Sequence, residues 1–350
     1  MYPALAVHSA LNARLRDVDT LWVGGEGGME QTLVGRQGIT YRSIPAAGLH
    51  GVDLTRLPGN LLKLARGILA ARNLLTEFRP DVMLFTGGYV AVPVAVAGFS
   101  IPSLLYVPDI EPGMALKSLA GFADAIAVTT EGSQRFFNKK VVQTGYPLRP
   151  DLALWDRSTA HRHLDISGKL PVLLVLGGSK GARTINLTVL NHLGKLLEKF
   201  EVIHLTGEED WNYVKHHRDQ LPADLAERYH AIPYLHEMGA ALAATDLVIS
   251  RAGASALGEY PLFGLPAILV PYPHAWRYQK VNADYLTNRG AAIILEDQVL
   301  NDELMDTLNV LMENPNKLQA MRAAMFELSH PRAAEKIAGM LVELAGEKSL

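Results

Sequence analysis

Two glycine-rich turns carry the residue types best suited to hold an anion. Gly177-Gly178-Ser179-Lys180-Gly181-Ala182 follows an apolar run at 170–176 and precedes a segment with helical amphipathic spacing. Ser250-Arg251-Ala252-Gly253-Ala254-Ser255 follows a second apolar run at 247–249. A strand, a tight glycine turn and a helix N-terminus together aim backbone N–H groups and the positive end of a dipole at one point, which suits a phosphate. Two such turns in one domain point to a diphosphate. Either alone also fits a plain turn, because glycine lets a helix and strand pack closely with or without a ligand.

The elements that must position these turns alternate along the chain. Residues 4–15 have helical spacing, and 20–23 read as a strand ending in Gly24-Gly25. Residues 61–78 read as a long amphipathic helix, and 81–85 as a strand ending in Gly87-Gly88-Tyr89. Strands recur at 103–107, 125–128 and 141–144. The turn-rich stretch Gly145-Tyr146-Pro147-Leu148-Arg149-Pro150 then interrupts, and the pattern restarts at residue 170. This alternation predicts an α/β protein of two doubly wound, Rossmann-like domains facing across a cleft. Residues 1–147 form the first domain and 148–330 the second, with a helix in 331–350 that is a candidate to pack back on the first. The chain opens on a helix, with Pro3 suited to its first turn. A doubly wound domain normally opens on a strand and glycine turn, so a short apolar strand ahead of Met1 is expected to complete the first sheet.

Composition narrows the function classes. The 350 residues are 49% hydrophobic and 20% charged, enough for two cores. A net charge of −3 gives no global nucleic-acid footprint. With no cysteine, disulfide and thiolate chemistry are excluded. The first residues show no signal-peptide pattern. Residues 86–108 carry no charge, but Gly87, Gly88, Pro93, Gly98 and Pro102 punctuate them. They read as a turn, a short buried helix at 91–97 and a buried strand at 103–107, not a membrane span.

Several motifs occur in one order: Tyr2-Pro3-Ala4-Leu5-Ala6-Val7, Gly87-Gly88-Tyr89-Val90, Gly145 to Arg149, the first glycine turn with Asn186, and Ser250 to Ala254 through Glu259. Gly264-Leu265-Pro266 and Pro271-Tyr272-Pro273-His274, through Gln279 and Asn282, follow. In these the chain resembles the MurG family, the N-acetylglucosaminyltransferases that convert lipid I to lipid II in peptidoglycan synthesis. The resemblance covers nearly the whole chain and is most specific in the second half. It implies a GT-B fold, UDP-N-acetylglucosamine as donor, inversion at the anomeric carbon, no cofactor and no metal in the donor site. The implied partners are the donor and a lipid-linked acceptor at the inner face of the cytoplasmic membrane, with no nucleic acid.

The resemblance also implies residue roles. The backbone of Leu235 meets the uracil, Gly178 and Ser179 face the diphosphate, and Ala254, Ser255 and Ala256 offer N–H groups. Glu259 takes the ribose hydroxyls, a pairing that suits a carboxylate and a vicinal diol. Arg149 stands near the diphosphate, and a guanidinium fork suits phosphate oxygens. Gln279 matches one of two sugar-binding glutamines, and Gly88 and Tyr89 are carried over as substrate-binding. Tyr278 stands where the family has the other glutamine. The family's glycine-rich loop ending in His, a favoured base, precedes the Tyr2-Pro3 match and is not in this sequence.

Asp109 stands where the family has Asn, and Glu111 is expected as a second carboxylate at the cleft edge. Asp109 is the available general base, or else a solvated acidic turn before Pro112. No metal site is expected: Asp17-Val18-Asp19 precedes a strand and reads as a solvated turn, and His216-His217 reads as an exposed helix pair.

Lys63, Arg66, Arg72 and Arg79 punctuate the apolar residues of the 61–78 helix. Such a helix either lies on an anionic bilayer or is an ordinary domain helix, the commoner case. The loop Gly48-Leu49-His50-Gly51-Val52 is a further candidate to face acceptor or membrane. Two alternatives stay open: a paralogue with another lipid or glycan acceptor, and a nucleotide-sugar-binding protein without turnover.

Overall fold

The computed structural model describes residues 1–26, 30–46, 57–178, 181–273 and 278–346. Ser179 and the loop Gly48–Val52 lie outside the described residues. The chain divides into two units, Met1–Arg149 with Arg332–Leu350, and Pro150–Pro331. Leu148 and Arg149 therefore belong to the first unit, not the second.

Among the described residues, six strands lie in the first unit: β1 (Leu21–Gly25), β2 (Thr40–Ile44), β3 (Met83–Phe85), β4 (Ser103–Val107), β5 (Ala125–Val128) and β6 (Val142–Gln143). They form two parallel sheets, β1-β2 and β3-β4-β5-β6. The uncharged stretch 86–108 holds the helix Ala91–Ala97 and strand β4, and among the described residues no helix is long and apolar enough to cross a membrane. Helix Tyr2–Arg14, with Pro3 in its first turn, packs with the C-terminal helix Ala333–Leu344 against one face of the sheet. There Val7, Leu104, Tyr106, Ala127, Ile337 and Leu341 share a buried cluster. Helices Leu57–Phe78 and Ala91–Ala97 cover the other face, with Ala71, Val94, Leu105 and Val107 in a second cluster.

The two sheets are separated by a slot. Strand β1 pairs with β2, and β3 with β4, while Leu21, Val23 and Gly24 on one side and Leu84 and Phe85 on the other line a cavity of about 610 Å³. Met1 and His8 also line it, and burial lowers the pKa of the Met1 amine. A parallel strand placed there would join both edges into one sheet, because strand edges carry backbone donors and acceptors ready to pair. Fusing about five extended apolar residues and a glycine turn ahead of Met1 is expected to raise Tm by roughly 5–10 °C. An unchanged Tm by calorimetry would show that the slot does not accept a strand.

The second unit carries β7 (Val172–Leu176), β8 (Glu201–Leu205), β9 (Tyr229–Ile232), β10 (Leu247–Ser250), β11 (Ala267–Leu269) and β12 (Ala292–Ile294). All pair in parallel in the order β12-β11-β10-β7-β8-β9. Strand order reverses between β7 and β10, which makes their junction the switch point where such sheets bind ligands. Its core joins fully buried residues of the sheet, such as Leu173, Val175 and Ile249, to Ile185, Leu196 and Leu304 of the surrounding helices. Ion pairs tie the lower end: Asp246 takes Arg157 in a two-pronged contact at 2.8 Å and the Val172 N–H at 2.9 Å.

Candidate functional site

Both glycine turns emerge from the switch point. The β7–β10 register places Leu176 beside Ser250, so Gly177 and Arg251 leave neighbouring strands at the same level. The described ends of the first turn lie close together. The Gly181 N–H donates to Gly178 O at 2.9 Å, and Gly178 and Gly181 have φ of +91° and +85°. A Cβ on Gly181 would stand 2.2 Å from Thr206 O, so no other residue fits against the β8 turn. Beyond it runs the helix Arg183–Asn191.

The second turn differs from the expectation. Ala254, Ser255 and Ala256 lie in a 3₁₀ turn, Ala254–Leu257, and the α-helix Glu259–Phe263 follows. Gly258, with φ −130° and ψ −45°, breaks the run between them. A Cβ on Gly253 would meet open space, so packing alone does not demand glycine there. Glu259 is half-buried at the first position of its helix. Its neighbour Tyr260 anchors the segment by donating from its buried hydroxyl to Ser250 Oγ at 2.7 Å.

Other candidate residues sit on the carboxyl-end loops of the same sheet. Leu235, half-buried, follows β9 beside the β8 turn, where the Gly207 N–H donates to Pro233 O at 3.1 Å. Gln279 is half-buried, and its Oε1 accepts from the Tyr272 N–H at 2.8 Å. An N–H can only donate, so the amide oxygen is fixed and the Gln279 NH₂ is left to face other groups.

A buried polar network stands behind the first turn, and of its members only Asn186 belongs to a motif legible in sequence. Asn186 donates to Thr206 O and to Asp210 Oδ2, both at 2.9 Å, and Asp210 accepts from Arg183 at 2.8 Å. Asn186 Oδ1 therefore accepts, and His204 Nε2 donates to it at 2.9 Å. His204 Nδ1 must then accept from the Tyr229 hydroxyl at 2.8 Å. Burial drives the His204 pKa down to about 3, so the ring stays neutral and holds this tautomer.

Asp109, Arg149, Gly88 and Tyr89 belong to the first unit. Asp109 is half-buried in the turn after β4. Tyr106 and Thr129 hydroxyls meet at 2.7 Å, and Thr129 donates to Pro108 O at 2.8 Å, which fixes the residue before Asp109. Burial, then Tyr146, pushes the Tyr106 phenol well above its ordinary pKa, and the nearby Asp109 charge adds to this. The phenol therefore remains protonated. Glu111 corrects an expectation: it is 8% exposed, not a carboxylate at an open edge. Its segment is drawn inward by Ile110, 2% exposed, whose carbonyl accepts from the buried Ser133 hydroxyl at 2.9 Å. The Arg149 guanidinium lies 4.9 Å from the Tyr2 ring centroid, a cation–π contact that fixes it at the start of the first helix. Tyr89 is exposed, after Gly87 and Gly88 with φ of +104° and +90°.

Among the described residues no group of three or more His, Asp or Glu side chains is arranged to hold a metal ion. Asp19 precedes β1, at the amino end of that strand. His216 is exposed and its ring lies edge-on to His217 at 5.9 Å.

Comparison with known proteins bears on these arrangements. Residues 1–128 match the glycosyltransferase family 28 N-terminal domain, and residues 172–337 the glycosyltransferase family 28 C-terminal domain. The chain is 37% identical to a Roseiflexus sp. (strain RS-1) protein, over 98% of this chain and 92% of that one. That relative is a UDP-N-acetylglucosamine--N-acetylmuramyl-(pentapeptide) pyrophosphoryl-undecaprenol N-acetylglucosamine transferase. A Desulforudis audaxviator protein of the same name is 36% identical, over 99% and 96% of the two chains. The chain belongs to the MurG family. Its fold class is accordingly GT-B, and the crystal structure of Acinetobacter baumannii MurG superposes with a TM-score of 0.75 at 24% identity, covering 98% of this chain and 95% of that one. A Neisseria meningitidis UDP-GlcNAc 2-epimerase bound to UDP-GlcNAc has a TM-score of 0.66 at 14% identity, covering 98% of each chain. The fold thus serves more than one reaction, and MurG-family membership, not fold, decides the activity class: the chain is a glycosyltransferase.

Proposed function

We propose that this chain transfers N-acetylglucosamine from UDP-N-acetylglucosamine to N-acetylmuramyl-(pentapeptide) pyrophosphoryl-undecaprenol, with inversion at the anomeric carbon. The observation that carries the reading is the pair of glycine turns at one level on β7 and β10. On this reading the diphosphate sits against Gly178 and Ser179 and the N–H groups of Ala254, Ser255 and Ala256. Leu235 meets the uracil, Glu259 the ribose and Gln279 the sugar. Arg149, Gly88 and Tyr89 serve the substrates from the first unit. The acceptor hydroxyl attacks the anomeric carbon as the bond to UDP breaks, and Asp109 takes the hydroxyl proton. Negative charge grows on the leaving diphosphate, where backbone N–H groups stabilise it. Gly253 supports the site, since open space there leaves room for a ligand.

UDP release that depends on added lipid-linked muramyl-pentapeptide acceptor tests the reading. Donor binding without release would favour a binding protein, and release only with another glycan or lipid would favour a paralogous transferase.

A peripheral position at the cytoplasmic face of the membrane fits the first unit. Leu61, Leu62 and Leu69 of helix Leu57–Phe78 are 50%, 54% and 63% exposed, among exposed Lys63, Arg66 and Arg72. The inward face of that helix is made instead by Gly67, Ala71 and their half-buried neighbours. Apolar side chains ringed by basic ones suit an anionic bilayer. Replacing all three leucines by Ser is expected to weaken binding to phosphatidylglycerol vesicles by roughly 10-fold or more, as buried apolar area is lost. Co-sedimentation at the parental level would remove this face from the account.

A further inference from the structure

One carboxylate links the second glycine turn to the helix that leaves the first. Asp297 follows β12, and its Oδ2 accepts from Thr184 Oγ1 at 2.9 Å, at the second position of the helix leaving the first turn. Its Oδ1 accepts from Nη1 of Arg251, the residue that opens the second turn. The Arg251 and Asp297 side chains are 9% and 16% exposed, so the pair is largely shielded from water. Arg251 is fixed further by donating to Val270 O at 3.1 Å, and its guanidinium lies 5.2 Å from the Tyr272 ring centroid. Tyr272 is in turn the residue whose N–H holds the Gln279 amide.

We propose that Asp297 is a positioning residue for diphosphate binding, a clasp that sets the two glycine turns relative to each other. The proposal rests on the reading of this site as the UDP-sugar donor site. A diphosphate spans two anionic groups, so it gains from two sets of N–H donors only when their separation is fixed in advance. The β7–β10 ladder sets the roots of the turns at Leu176 and Ser250, and beyond it the contacts of Gly181 and Tyr260 each stay on their own side. Asp297 reaches across from a third loop and gives one oxygen to the helix leaving the first turn and one to the second turn. The Arg251 charge is consumed inside the clasp, which makes it a strut rather than a phosphate ligand.

Two opposite consequences follow from removing Asp297, and their sign separates the clasp from simple electrostatics. A freed Arg251 cation would draw an anion more strongly. Turns no longer held together would bind a diphosphate more weakly. Thr184→Val cuts the link to the first turn and leaves every charge in place. On the full chain, Thr184→Val and Asp297→Ala are each expected to raise the Kd for UDP roughly 10-fold or more and the Kd for uridine less than about two-fold. The double variant should be no weaker than Asp297→Ala alone, since both changes open one clasp.

Calorimetry with UDP and NMR titration with uridine give the readouts. Tighter UDP binding by Asp297→Ala, parental UDP binding by Thr184→Val, equal losses for UDP and uridine, or additive losses in the double variant would each overturn the proposal. Should Asp297→Ala fail to fold, Thr184→Val decides the matter with the same two ligands. A parent chain that binds no UDP overturns the donor-site reading and the clasp with it. UDP binding by the parent with no loss in the variants overturns the clasp alone.

Discussion

Asp109→Asn is expected to lower turnover by roughly 10²–10⁴-fold, the usual scale for removing a general base. The substitution keeps the shape and hydrogen-bonding reach of the side chain and removes its ability to take a proton. The Tyr106–Thr129–Pro108 hydrogen bonds that hold the turn do not involve the Asp109 carboxylate, so the turn should keep its form. UDP binding draws on the second unit and should stay within about two-fold of the parent, as expected for a group that acts only on the reacting hydroxyl. Turnover within a few-fold of the parent would remove Asp109 from the role and return it to a plain acidic turn.

Glu259→Ala is expected to weaken UDP binding by on the order of 1–3 kcal/mol, the cost of losing hydrogen bonds to a charged group. Glu259 opens a short helix whose second residue, Tyr260, is fixed to Ser250 at the end of β10. The carboxylate is therefore carried on a rigid support, directly beyond the 3₁₀ turn of Ala254–Leu257. Calorimetry with UDP reads the effect, and a chelator should leave both parent and variant unchanged. Equal affinity in the variant would move the ribose elsewhere.

The alternation of strands and helices was legible because buried parallel strands are short apolar runs that end in glycine turns. Its errors have local causes. Strand β7 begins at Val172 and not at residue 170, since Pro171 has no N–H to give to the ladder. The long helix begins at Leu57, four residues earlier than its apolar spacing suggests, because Pro58 is well placed in a first turn. Leu61, Leu62 and Leu69 fit an apolar stripe by spacing, yet they face outward, and spacing cannot say which neighbours cover a helix. Glu111 was expected at the cleft edge, and only the fold reveals that the buried Ile110, held by Ser133, draws it in.

Within the site, the glycine turns were readable since they are contiguous in sequence. The groups that hold them were not. Arg251 and Asp297 are 46 residues apart, and Thr184 and Asp297 are 113 apart. An Asp in a loop after a strand carries no mark of its partners. His204 likewise sits within an apolar strand pattern, and its neutral, doubly bonded state follows only from the geometry around Asn186.

A crystal structure of the chain with UDP bound, grown in the presence of a chelator, tests the central claim most directly. The account predicts the diphosphate at hydrogen-bonding distance, about 2.7–3.2 Å, from backbone N–H groups of both the 177–182 turn and the Ala254–Ala256 segment, with the ribose hydroxyls on Glu259. UDP bound away from the β7–β10 switch point, or touching one turn without the other, would contradict it.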